Sequence, residues 1–572
     1  MIYYNFFNIC DNYWKIYFQR VNIINICINI IRKSVGSSMK VLIITGELAY
    51  PLIKDVVSDS KEDIIVHIAD NTQVAAFLTP RQIIKEVKTN FSNQLNEIDM
   101  ILVPGLIKKG TKEITKELGI PTFKGSTDGA DLAMVLNLIG NIDLSEDKPA
   151  DKLIEEEKRH EAFKFIEEFE NDKENIDKLL EKPNNILIRN LPVGEDFPMR
   201  VLSEIANAPF LSKEALINKC QYFVDSGADM IDIGMAAGED FSDKIPELIE
   251  TLRPIVGDRP LSIDTLNPKE IKVAAENGID FVLSLDLGNN SEIKDILIEK
   301  DIPAVLLPTN FSQGVSPKTP LERVESMHQL IKDTEGLRYV ADLILDPVNS
   351  SSIVESIIAC HEFHKTNKAP MFFGVGNVTE LMDADSGGVN VLLAGIGMEL
   401  GVSILFTPEE SGKTRGSVYE LSTASKMMFL AKNRKSIPKD LGINMVVFKD
   451  KHKRNDVIVN ELDEIPEIRQ SKPMKFIRDK AGSFKISVDY GTTVSESRII
   501  ATHFKKNKAD LVISGSTAKE IYEEIISKEL VTRMEHAAYL GSELKKAEIA
   551  MITGKDYVQD FELFKNPDEF KN

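Results

Sequence analysis

Three short stretches of this chain place a carboxylate at the tip of an apolar run. They are G-A-D-M-I-D-I-G (Gly227 to Gly234), P-L-S-I-D-T (Pro260 to Thr265) and L-I-L-D-P (Leu343 to Pro347). Asp is a poor strand former, and a buried carboxylate is costly unless paired. Carboxylates repeated where buried parallel strands stop suggest a shared pocket at the open end of a β/α barrel. Two chemistries suit such a pocket. A ring of carboxylates can hold Mg²⁺ or a similar hard cation through oxygen. A carboxylate can also take two parallel N–H bonds from a planar, guanidine-like heterocycle edge. No clustered His set accompanies the acids, which argues against a transition metal. For any single Asp the competing reading is a cap on the following helix.

The elements that must position these groups follow from the apolar runs. Strands are expected at 185–190, 229–233, 260–263, 280–285, 304–307, 341–345, 371–375 and 402–406, with helical patterns between most neighbours. Eight such strands over about 220 residues match a (β/α)₈ barrel, and their continuous apolarity suits strands covered on both faces. An open doubly wound sheet is the competing architecture. The expected C-terminal strand ends carry Asn190, Asp232, Asp264 with Thr265, Ser284 with Asp286, Asn310, Asp346, Gly376 with Asn377, and Thr407 with Glu409 and Glu410.

Outside the barrel, residues 39–145 alternate short strands and helices as a small Rossmann-like α/β domain. Its first turn, T-G-E-L-A-Y-P, lacks G-x-G-x-x-G, so a dinucleotide is not expected; docking or scaffolding is the plainer role. Residues 146–183 are dense in Glu and Lys and read as a charged helical linker. The barrel is expected over 184–436. A second small α/β domain is expected over 437–572, with strands at N-M-V-V-F-K-D, F-K-I-S-V-D-Y, A-D-L-V-I-S-G and A-E-I-A-M-I-T-G and helices at 517–527 and 533–546. The first 38 residues, rich in Ile, Asn, Tyr and Phe, differ from the rest. They read as a spurious or disordered extension ahead of a start at Met39.

The chain has 572 residues and a net charge of −20, which argues against a general nucleic-acid or anionic-membrane binder and leaves room for a local basic pocket for one phosphate group. No apolar run is long enough for a membrane span. Four scattered cysteines form no C-x-x-C pair, so a reducing cytosol is the expected compartment.

The three Asp-tipped segments resemble the signature segments of dihydropteroate synthases and their relatives, the pterin-binding barrels. That superfamily includes methyltransferases acting on N5-methyl reduced pterins. With its extra terminal α/β domains, the chain resembles archaeal dihydropteroate synthase-related proteins. The resemblance implies a pterin site lined by Asp264 and Asp346. Ser284 stands near the position of a synthase Asn, and Asp286, Asn377 and Asn190 are further expected pterin contacts. It implies Asp264 and Asn377 as catalytic groups.

The departures are specific. Synthases carry Ser-Arg-Lys after strand 7, where this chain has G-V-G-N and no cation. The methyltransferase branch places an Asn there, which Asn377 matches. After strand 8, T-P-E-E-S-G-K-T-R-G-S offers Lys413 and Arg415 as a phosphate-binding candidate; the competing reading is a solvated basic turn. His361 and His364 share a helical face expected outside the barrel, so a metal role is not favoured. A corrinoid-binding D-x-H-x-x-G motif is absent, so any cobalamin would come from a partner. The expected function is a transferase of folate or tetrahydromethanopterin-type metabolism, moving a pterin-methyl group to an arylamine or a methyl group from pterin N5. The alternatives are a non-catalytic pterin-binding subunit and a Mg²⁺-dependent barrel lyase. Expected partners are a small-molecule pterin, a corrinoid protein or enzyme complex, and a second copy of the chain.

Overall fold

A computed structural model describes residues 38–564 apart from 59, 128, 140, 141, 450–476 and 491–495. Of the expected extension, residues 1–37 lie outside the described residues. The described residues divide into two compact units, 38–163 with 446–449 and 164–445 with 477–564.

The first unit is built on four parallel strands, β1 (Lys40–Thr45), β2 (Asp63–Ile68), β3 (Met100–Val103) and β4 (Thr122–Lys124), in the order β2-β1-β3-β4. Helices α1 (Tyr50–Val56) and α4 (Leu132–Leu138) cover one face, where Val41, Ile43 and Leu102 meet Ile53 and Val135. Helices α2 (Pro80–Asn90) and α3 (Lys112–Leu118) cover the other, where Leu42, Ile44 and Ile101 meet Ile83 and Ile114. The division between units falls within α5 (Ala150–Asn171), and α6 (Lys173–Leu180) follows.

The second unit contains a closed barrel of eight parallel strands. They are β7 (Arg200–Ile205), β8 (Met230–Gly234), β9 (Leu261–Asp264), β10 (Phe281–Leu285), β11 (Ala304–Leu306), β12 (Tyr339–Ala341), β13 (Met371–Gly374) and β14 (Val402–Thr407). Its covering helices are α7 (Lys213–Asp225), α8 (Ile245–Val256), α9 (Pro268–Glu276), α10 (Asn290–Glu299), α11 (Pro320–Asp333) and α12 (Ile353–Thr366). A short α13 (Gly376–Thr379), α14 (Ser386–Leu400) and α15 (Ser417–Arg434) complete the ring. Side-chain caps start several of them: Ser212 accepts from Ala215 N and Asn267 from Lys269 N, while Thr319 and Glu322 form a capping box.

The expected first barrel strand is corrected. Residues 185–188 form β5, which pairs antiparallel with β6 (Leu191–Gly194). This hairpin is a plug. Ile188 and Val193 pack against Leu202, Met230, Phe281, Val340 and Ile404 from the barrel interior. Its tip is tied by Arg189 to Asp280, the residue before β10, and Leu187 O accepts from Arg338, before β12. Those are N-terminal strand ends, so the hairpin closes the bottom. β5, N-I-L-I, is the more continuously apolar of the two, while β7, R-V-L-S-E-I, carries Arg200, Ser203 and Glu204, so apolar pattern alone points to the plug rather than the stave.

The rest of the second unit carries three antiparallel strands, β15 (Ser483–Asp489), β16 (Arg498–Lys505) and β17 (Lys508–Gly515), with helices α16 (Ala518–Ser527) and α17 (Met534–Thr553). Strand β16 was not expected. Residues 444–449 are not a strand, and 547–553, expected as a strand, form the end of α17. In the run A-E-I-A-M-I-T, Ala547 and Ala550 continue the buried helical spacing of Leu540 and Leu544, and the 3.6 period prevails over its β-branched residues.

Candidate functional site

Alternation along the barrel staves sets the site. Leu202, Met230 and Val340 point inward onto the plug, so the residues two further on point inward one layer higher. These are Glu204, Asp232 and Asp342. Glu204 and Asp232 are register partners, and Asp264 lies opposite Gly234. A Cβ on Gly234 would strike the Glu204 carboxylate, so the glycine of D-I-G is the space through which Glu204 leans over β8. Glu204, Asp232 and Asp264 thus bring ligand-capable oxygens within 4.8 Å of one another. Ser262 Oγ donates to Asp232 Oδ1 at 2.5 Å, and Ser284 Oγ donates to Asp264 Oδ1 at 3.2 Å. Asp232 Oδ2 is buried without a partner.

Crowding acids away from water raises their affinity for protons. Burial, then repulsion from Asp264 and Glu410, lifts Glu204 to about 8. Burial lifts Asp342 to about 7, opposed by a hydrogen bond from Ile344 N and by Arg323. Asp232 is raised well above the usual carboxyl range by burial, Asp264 and Glu204. Asp264 is raised by burial. The layer therefore stores protons near neutral pH and favours any ligand that brings N–H donors or positive charge.

Asp346 stands above this layer. Its Oδ2 is paired with Arg323 and accepts from Ser356 Oγ at 3.1 Å. Arg323, from α11, is 2% exposed and also donates to Leu343 O at 3.0 Å and Ile344 O at 2.7 Å. It clamps the whole 342–346 turn. Asn377, exposed on α13, donates from Nδ2 to Leu345 O at 3.1 Å, which turns its Oδ1 outward as an acceptor. Asp264, Ser284, Asp346 and Asn377 thus line one end of the barrel.

Three expected groups stand elsewhere or are already engaged. Asn190 is in the turn of the bottom plug, away from the mouth, because the chain enters the barrel one strand later than expected. Asp286 is 1% exposed, and both of its oxygens are taken: Gly288 N and Asn289 N donate to one, Thr309 Oγ1 and Phe311 N to the other. It braces the strand-4 loop. Lys413 and Arg415 both have partners within the chain. Lys413 pairs with Asp383 at 3.0 Å, and the Arg415 guanidinium lies over the Tyr490 ring, 4.3 Å from its centre. Four backbone donors nearby hold the chain's own carboxylates. Glu409 accepts from Gly416 N at 2.5 Å and Val418 N at 3.1 Å, at the start of α15. Glu380 accepts from Glu410 N at 2.9 Å and Ser411 N at 3.1 Å.

Glu204, Asp342 and Arg323 escaped the sequence reading. Glu204 was legible only with β7 as the first stave. Asp342 was hidden because the strand was carried on to Leu345. Arg323 sits in the first turn of α11, just after the capping box, and carries no local signal of burial. His364 lies 3.7 Å from Glu195 on α12, and among the described residues only the Glu204 triad forms a metal-compatible group. Cys220 and Cys360 are buried, and burial raises both thiols.

A family model described as pterin binding enzyme matches residues 203–380, and one described as PterinBD-DUF4346 matches residues 478–560. An uncharacterized protein of Methanocaldococcus jannaschii is 44% identical over 540 residues, covering 92% of this chain and 99% of that protein. A Ycf91-like protein of Nostoc sp. is 46% identical over 52 residues, 9% of this chain and 41% of its own length. Among solved structures, dihydropteroate synthase of Xanthomonas albilineans with indole-2-carboxylic acid and 6-chloroguanine is 16% identical, with a TM-score of 0.35, covering 45% of this chain and 100% of that one. The Stenotrophomonas maltophilia synthase is 18% identical, with a TM-score of 0.37, covering 45% and 99%.

Proposed function

This chain belongs to the archaeal family of dihydropteroate synthase-related, pterin-binding proteins, and from that premise we propose that its barrel takes a reduced pterin methylated at N5 and passes the methyl group to a nucleophile. One observation carries the choice of reaction: four backbone donors after β14, those of Glu410, Ser411, Gly416 and Val418, are taken by Glu380 and Glu409. A synthase must hold and release pyrophosphate, and backbone donors already holding two carboxylates leave a further anion repelled. Methyl transfer has no anionic leaving group and needs no slot for one.

In this reading Asp264 and the Asp342–Asp346 turn receive the N–H groups of the pterin's 2-amino-4-oxo edge, in the two-bond geometry a carboxylate favours. Asn377 accepts at Oδ1 from a proton carried on N5. The N5–methyl bond breaks with its electron pair left on N5, and the proton makes that nitrogen a neutral leaving amine. The methyl carbon bonds to an acceptor, a thiolate or the corrinoid of a partner protein. A second reading is supported by the orphaned Asp232 Oδ2 within the acid triad: Glu204, Asp232 and Asp264 hold a hard divalent cation such as Mg²⁺.

Calorimetric titration tests the first reading. N5-methyl-tetrahydropterin is expected to bind, and a pterin-methyl pyrophosphate to bind no tighter. Tighter binding of the pyrophosphate compound would return the chain to the synthase branch. Turnover with a corrinoid or thiol acceptor separates an enzyme from a silent binding subunit. A pterin affinity that rises on adding Mg²⁺ and falls with chelator would favour the second reading.

A further inference from the structure

The first unit holds a cavity of about 350 Å³ at the carboxyl ends of its parallel strands. Its position follows from the topology. The helix after β1 lies on one face of the sheet and the helix after β3 on the other, while β1 and β3 are neighbours. Open α/β sheets bind their ligands in the crevice that this reversal leaves. The loops around it are laced in two separate pairs. Glu47 N and Leu48 N donate to Thr72 O and Gln73 O at 3.0 and 3.2 Å, which joins the loops after β1 and β2. Gly105 N donates to Ser126 O at 3.0 Å and Gly125 N to Val103 O at 2.7 Å, which joins those after β3 and β4. The cavity lies between the two laced lips, at a size usual for small-molecule sites.

The lining selects the chemistry. Its walls are aliphatic, with Ile43, Leu52, Val74, Val103 and Leu132 among them, and no described lining residue is ionisable or aromatic. An anion or cation taken into it would lose hydration with no counter-charge. The first turn is no phosphate cradle either. The Cβ position of Gly46 is filled by Gln73 O and Ala75 N, and α1 has only seven residues, with Pro in its first turn. Polar groups sit on both lips. On one is Gln73, an exposed lining residue whose carboxamide takes no side-chain hydrogen bond among the described residues. On the other are the Ser126 hydroxyl, also unpaired among them, and Thr127, whose Oγ1 donates to Asp151 at 2.6 Å and keeps lone pairs free.

We propose that this crevice binds an uncharged nucleoside. The Gln73 carboxamide matches the donor–acceptor edge of a base, as Gln does with adenine. The aliphatic walls enclose the flat ring, and Ser126 with Thr127 faces the sugar hydroxyls. A phosphate on that sugar is refused for want of any cation.

Calorimetry of the full chain with adenosine, guanosine and AMP tests it. One nucleoside site per chain is expected, with AMP at least tenfold weaker than adenosine. Gln73→Leu and Ser126→Ala, both at partly or fully exposed positions, are each expected to weaken the nucleoside about tenfold. Asp264→Asn in the barrel is expected to leave it unchanged. The proposal fails if neither nucleoside binds, if AMP binds as tightly as adenosine, if Gln73→Leu has no effect, or if Asp264→Asn abolishes binding.

Discussion

At the scale of the residue, the proton-loaded acid layer has two measurable consequences. Glu204 and Asp342 titrate near 8 and 7 when folded, against 4.5 and 3.8 ordinarily. Between those values the folded state holds protons that the unfolded chain has released, so stability falls as pH rises from about 4.5 to about 8. Melting the ligand-free protein across that range is expected to show its lower temperature at pH 8. Glu204→Gln is expected to flatten the curve and stabilise the fold at pH 8 by a few kcal/mol, at about 1.4 kcal/mol per pKa unit. An unchanged slope would mean that Glu204 is ionised in the fold. The second consequence concerns ligand. Asp264→Asn and Asp342→Asn are each expected to weaken N5-methyl-tetrahydropterin by about tenfold to a hundredfold, the loss of a charge-assisted hydrogen bond. If calorimetry finds neither weakened, the layer is not the pterin floor. Asp264 could be nominated from the sequence because a carboxylate ending an apolar run is conspicuous. Glu204 could not, since its role depends on the side chain that Gly234 lacks and on the register between two staves.

At the scale of the element, the 342–346 turn and the bottom plug decide how rigid the site is. Arg323 reaches the turn from a helix on the barrel's outer ring and pairs with Asp346 inside the protein. Arg323→Met leaves the Asp346 carboxylate uncompensated and is expected to destabilise by about 3–5 kcal/mol, read from denaturant unfolding. The double variant Arg323→Met with Asp346→Leu is expected to recover much of that loss, which separates a charge effect from a packing effect. The plug makes a simpler case. Ile188 is fully buried under the barrel interior, and Ile188→Ala is expected to cost about 2–5 kcal/mol. A cost under about 1 kcal/mol would mean that the hairpin does not support the acid layer above it.

At the scale of the whole molecule, the two compact units predict separable responses. A pterin at a hundred times its Kd adds about 2.7 kcal/mol to whatever unfolds with its site. Hydrogen exchange is expected to slow across the barrel strands and to stay unchanged in β1–β4. Protection spread over both units would show that they unfold together. By itself, the sequence determined the repeating βα pattern and hence the barrel class, the small parallel domain before it, and the polar nature of one barrel end. Those rest on local period and on where apolar runs stop, which neighbouring residues encode. Only tertiary structure decided which run was the first stave and which the plug. It also decided that Glu204 and Asp342 join Asp264, and that the strand-8 donors already hold Glu409 and Glu380. The plug and the acid layer depend on register and contact between distant segments, about 150 residues apart for Arg338 and Leu187. No local pattern carries that information, because burial and pairing are settled by what the rest of the chain brings alongside.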